Sequence, residues 1–189
     1  MVDSKFQRKH LRAPLKSEAL YIDEDSVFKA RTLNISEGGI LISELPHVPE
    51  INALPLMIAL IQYPKFSNVS PEKLKNLNPI EFPRTILKMK ARMVRTFEGK
   101  STVEKLFLTH IGCEFYPLDE ETKAQIVEYV STFAKNTIFL LSLFESNHHK
   151  KEQIELLRKV AELLGYDAQM AIPLLRQKVL HDYQSLESL

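Results

Sequence analysis

The sequence has one cysteine, five glycines and no tryptophan in 189 residues. A lone cysteine excludes an internal disulfide framework and any zinc site built from several thiolates. A reducing cytoplasm is therefore the expected compartment. No Gly-rich P-loop, HExxH, GxSxG or GxGxxG pattern occurs, so no catalytic residue is singled out and an enzyme is the least supported reading. No window reaches eighteen consecutive apolar residues, and no membrane span is expected. The stretch MVDSKFQRKHLR is polar and basic and has no apolar core to make it a signal peptide. Charge of one sign is missing too. Lysine and arginine total 25 against 24 acidic residues, a formal net charge of +1, which argues against a protein that coats nucleic acid. What is there is a globular balance of 44% hydrophobic and 26% charged residues.

The charge is unevenly placed. Residues 1–16 carry Lys5, Arg8, Lys9, Arg12 and Lys16 against Asp3 alone. A second basic stretch over 84–105 is offset by acid around 119–128. The first two-thirds read as short strands, at Glu18–Ile22, Val27–Leu33, Ile40–Ile42, Leu56–Ile61, Arg84–Arg95 and Val103–Phe115. In Arg84–Arg95, Leu87, Met89, Ala91 and Met93 share one face and Lys88, Lys90 and Arg92 the other. Ser70-Pro71-Glu72 predicts a short helix over Pro71–Leu77. The last third changes to helical period. Asp119 is the expected N-cap of a long helix, Gly165 the stop of a second, and a third is predicted near Pro173–Leu186.

Two short patterns carry chemistry. Arg8 and Arg12 stand four apart. Asn34-Ile35-Ser36-Glu37-Gly38-Gly39 follows one predicted strand and opens the next. Arginine presents a planar fork of donors that fits a phosphate or the O6/N7 edge of guanine, and it stacks on base faces. An asparagine amide can meet a base edge, and a serine hydroxyl a phosphate oxygen. Gly38 and Gly39 permit positive φ and close approach of a ligand to the backbone.

These residues resemble the signature of PilZ domains, R-x-x-x-R followed after twenty to thirty residues by D/N-x-S-x-x-G. Arg8 and Arg12 match the first part, and Asn34, Ser36 and Gly39 the second. Ile111-Gly112-Cys113-Glu114-Phe115 resembles the late strand of that family. The pattern covers about residues 5–130, fits 46–82 poorly and leaves out 135–189. The resemblance implies a six-stranded antiparallel PilZ-type β-barrel, and the helical period of the last third adds a C-terminal helical extension, so a mainly β fold with α is expected. The chain then divides into a flexible arginine-bearing switch segment (1–16), a barrel with the start of its closing helix (17–130) and a helical extension (131–189). It further implies a non-catalytic receptor of the bacterial second messenger cyclic di-GMP, with Arg8, Arg12, Asn34, Ser36 and Gly39 holding the ligand. No cofactor other than that ligand, and no metal, is implied. A protein effector in motility, exopolysaccharide synthesis or transcriptional control would receive the signal.

Plainer readings stand beside these. Lys88, Lys90 and Arg92 are expected to be the wet face of a strand, and an RNA-binding barrel is disfavoured because that face has no aromatic stacking residues. Cys113 is expected to be a buried structural thiol, and His148-His149 a solvated helix junction. The alternative to a receptor is a ligand-independent PilZ-like adaptor. Its C-terminal stripes, such as Ile154, Leu157, Ala161 and Leu164, would form a homo-oligomer interface or pack back on the barrel.

Overall fold

The computed structural model describes residues 10–97, 110–145 and 151–187. Its strands are β1 (Arg12–Pro14), β2 (Glu18–Asp23), β3 (Ser26–Ser36), β4 (Gly39–Ser43), β5 (Ala53–Ile61), β6 (Arg84–Phe97) and β7 (His110–Phe115). Its helices are α1 (Pro71–Asn76), α2 (Glu120–Glu145), α3 (Lys151–Leu163) and α4 (Ile172–Glu187). Arg8, His148, His149 and the first part of the expected strand Val103–Phe115 lie outside the described residues.

The chain divides into two units. The first holds His10–Ile61 with Arg84–Val130. Here β3, β2, β5, β6, β7 and β4 pair antiparallel in that order, and β4 closes back onto β3. This is the expected six-stranded antiparallel barrel. The short β1 adds to β3 at its far end, so β1 and β2 lie in line along one edge of β3.

Side-chain alternation fills the barrel. Ala19 and Tyr21 of β2, Leu54, Leu56, Ile58 and Leu60 of β5, Leu87, Met89 and Ala91 of β6, and Ile111 and Cys113 of β7 are buried. Lys88, Lys90 and Arg92 are exposed, as their alternation predicts. The apolar run in β5 buries every second residue fully, and those between are half-buried.

The alternation reverses within β3. Ala30 and Thr32 are buried, and so is Ile35. The register slips between Thr32 and Asn34, where a bulge takes up Leu33. Thr32 holds this break together. Its hydroxyl donates to the Leu15 carbonyl at 2.6 Å and accepts from the Ser17 N–H at 3.0 Å. Without the bulge Asn34 and Ser36 would face the core. With it they share the outer face.

The second unit joins Gln62–Pro83 to the helical residues from Ser131 on. Ser70 caps α1, accepting from the Lys73 N–H at 3.4 Å. The buried Asn136 of α2 accepts from the Phe66 N–H at 2.9 Å and donates its amide to the Pro64 carbonyl at 2.9 Å. Tyr63 packs edge-on against Phe66, Phe82 and Phe133. Lys75 of α1 pairs with Glu155 of α3 at 3.6 Å. Helix α3 ends in the expected glycine. Gly165 has φ +82°, its N–H bonds the Glu162 carbonyl, and the Tyr166 N–H bonds Ala161.

Candidate ligand site on the outer face of the barrel

The two sequence patterns meet through strand register. Arg12 pairs with Ser36 across β1 and β3, and Pro14 pairs with Asn34. Their intervening partners, Ala13 and Ile35, are both buried. Arg12, Asn34 and Ser36 therefore share the face opposite Ala13 and Ile35, since directly opposed residues of an antiparallel pair point the same way; Arg12 and Asn34 are half-buried there and Ser36 is only 5% exposed. Arg12 enters on a strand rather than on a free arm. Arg8 adds nothing to this geometry, because it lies outside the described residues.

A tight turn links β3 to β4. Ser36 pairs with Gly39, leaving Glu37 and Gly38 as the loop. The Ser36 hydroxyl donates to the Gly39 carbonyl at 3.2 Å, and the Phe115 N–H donates to the Gly38 carbonyl at 3.1 Å. Neither glycine has positive φ, although the sequence permits it. Both lie close to a neighbour instead. A Cβ on Gly39 would overlap the Cys113 carbonyl oxygen of β7. A Cβ on Gly38 would stand 3.0 Å from the His10 ring.

The row continues around the barrel. Gly39 pairs with Glu114, and Glu114 pairs with Arg92. Arg92 donates to Glu114 at 2.6 Å. Five strands thus line up Arg12, Ser36, Gly39, Glu114 and Arg92, with the side-chain-free Gly39 between Ser36 and Glu114.

Glu37 binds two neighbours. One oxygen lies 3.2 Å from His10 Nδ1 and the other 3.2 Å from Lys123 Nζ of α2. Hydrogen bonding from Lys123, with a smaller share from His10, holds this carboxyl below the usual range. Helix α2 also reaches β1, where the Tyr129 hydroxyl donates to the Pro14 carbonyl at 2.6 Å. Asp119 caps α2 as expected, accepting from the Thr122 N–H at 2.8 Å. Sequence reading missed His10, Glu37, Lys123 and Glu114 as neighbours of the site. His10 and Glu37 stood inside the two patterns, and only the paired register gives them significance.

Cys113 is buried, and burial pushes its thiol up to about 12, which fits an inert structural role. No cluster of histidine, cysteine and carboxylate side chains among the described residues could hold a metal ion. None of the described helices is long and apolar enough to cross a membrane.

A family model of the PilZ domain matches residues 6–132, well over half of the chain. The chain belongs to the PilZ family. Among solved structures, this PilZ chain is similar to the Bacillus subtilis inhibitor of motility MotI/DgrA, at 16% identity and TM-score 0.48, covering 66% of this chain and 50% of that one. It is similar to the PilZ domain with c-di-GMP of YcgR from Escherichia coli, at 14% identity and TM-score 0.42, covering 66% and 89%. It is also similar to the K. pneumonia MrkH–c-di-GMP complex, at 11% identity and TM-score 0.43, covering 76% and 56%. The PilZ chain thus matches half the length of the Bacillus protein and little more than half of MrkH. No curated protein matches its sequence.

Proposed function

We propose that this PilZ protein is a non-catalytic cytoplasmic receptor of cyclic di-GMP that passes binding on to a protein partner. The observation that carries the reading is the register of Arg12 against Ser36 and of Pro14 against Asn34. It puts a guanidinium fork, an amide and the hydroxyl of the largely covered Ser36 on one face of the β1–β3 pair. Such a set suits a ligand with two phosphates and two guanines. Arg12, Asn34 and Ser36 hold the ligand, Gly39 leaves the floor clear, and Arg8 joins them by its place in the sequence pattern. Helix α2 is the route outward, since it touches both motif-bearing segments, at Glu37 and at Pro14. Isothermal titration with cyclic di-GMP tests the reading. Saturable heat in the wild type that is lost in Arg12→Ala is expected. An absence of heat in the wild type would sink it.

The second reading is a ligand-independent adaptor or oligomerisation module acting through the C-terminal helices. It is favoured by Leu174 and Leu180 of α4, which are 58% and 39% exposed. Light scattering of the full chain and of Leu174→Glu separates the two readings. A dimer in the wild type that dissociates in the variant, with no response to cyclic di-GMP, would select the adaptor.

A further inference from the structure

The ligand pattern leaves His10 unexplained, although it lies midway between Arg8 and Arg12. Its Nδ1 is 3.2 Å from Glu37. Its ring lies against Gly38, close enough that a Cβ there would stand 3.0 Å from Cδ2 and 3.4 Å from Nε2. The other Glu37 oxygen is held by Lys123 of α2 at 3.2 Å. A single carboxylate, at an unspecified position of the N-x-S-x-x-G turn, thus grips the arginine-bearing segment on one side and a helix on the other.

We infer that Glu37 and Gly38 form a seat for the His10 side chain, and that Glu37 is a positioning residue that holds the arginine-bearing segment beside Ser36 before ligand arrives. This rests on the receptor reading above. The physical ground is pre-organisation. A segment ordered before binding does not lose its conformational freedom at the binding step, so affinity rises with no added ligand contact. A lone exposed ion pair contributes little, but here the carboxylate serves two partners from separate elements, His10 and Lys123, and the imidazole also packs on a glycine surface. The two neighbouring glycines therefore divide their work. Gly39 makes room for β7, and Gly38 makes room for His10.

The first measurement needs no ligand. The imidazole carbon-bound proton signals of His10 are recorded by NMR in the full chain and in Glu37→Ala. The seat predicts that the His10 signals move towards those of a solvated histidine in the variant. Unmoved signals overturn the inference. The second measurement is calorimetric titration with cyclic di-GMP. Glu37→Ala and His10→Ala each weaken binding by about three- to ten-fold, and the double variant is no weaker than either single one. Glu37→Gln keeps an acceptor oxygen of the same reach and restores part of the affinity. Fully additive losses, or unchanged affinity in both single variants, also overturn it. A wild type that gives no heat removes the receptor reading, while the histidine signals still decide whether the seat exists.

Discussion

Gly39 of β4 runs so close to Cys113 of β7 that a Cβ on the glycine would overlap the cysteine carbonyl oxygen and stand 3.3 Å from its carbonyl carbon. The obstacle is backbone, which cannot swing aside as a side chain can. An alanine would ordinarily improve a strand, because glycine loses more freedom on folding. Here the sign reverses. Gly39→Ala is expected to destabilise the barrel by about 1–3 kcal/mol through overpacking. Denaturant melts of the ligand-free protein check this. Unchanged stability would mean that β4 and β7 can separate at no cost. The glycine of the ligand pattern thus has a structural duty in the absence of any ligand.

Asn136 is 1% exposed and makes both of its hydrogen bonds to the backbone of Pro64 and Phe66. Asn136→Ala removes two bonds and strands a buried N–H, at a cost of about 2–3 kcal/mol. The expected result is a lower melting temperature, by about 2–4 °C per kcal/mol for a chain of this size. A melt identical to wild type would contradict the pinning role.

Asp23 supplies an acid-sensitive joint. Burial opposes its ionisation, but hydrogen bonds from His47, from the Ile51 N–H and from the Glu50 N–H outweigh it and hold the carboxyl below its ordinary 3.8. A carboxyl lowered in the folded state stabilises the protein above the unfolded value and loses that contribution as pH falls through the folded value. Stability is therefore expected to drop below about pH 4, and Asp23→Asn should flatten that part of the profile. Urea melts from about pH 3 to 6 on both proteins test this. Parallel profiles would assign the acid loss to other carboxylates.

Tyr21 is 1% exposed within the barrel, and its hydroxyl has no hydrogen-bond partner among the described residues. Burial pushes the phenol up to about 12. The ring stacks on Phe28 at 5.5 Å, and phenylalanine keeps that contact. Tyr21→Phe is expected to leave stability unchanged or raise it by about 1 kcal/mol, since an unpaired buried hydroxyl is relieved. A clear loss in thermal melts would show that the hydroxyl is bonded in solution.

The strands were legible in the sequence because a regular strand states its own inward face. Leu87, Met89 and Ala91 alternate with Lys88, Lys90 and Arg92, and no distant residue is needed to see it. Helix ends were equally local. Asp119, Ser70 and Gly165 act on backbone groups within a few residues of themselves. The site was legible only as a set of residue types. Asn34 and Ser36 reach the outer face because β3 slips by one residue at Leu33, and that slip is held by Thr32 bonding across to Leu15 and Ser17. Strict alternation from Ala30 and Thr32 would have pointed them inward.

Local chemistry in the chain was therefore enough to specify the inward faces of the regular strands and the helix caps. Which residues stand beside one another followed from pairings across long stretches of chain. Arg12 meets Ser36, Glu37 meets Lys123, and Asn136 draws Gln62–Pro83 into the helical unit. Hydrogen bonds and ion pairs between distant residues form only once the core has closed around them, and no periodicity along the sequence records them.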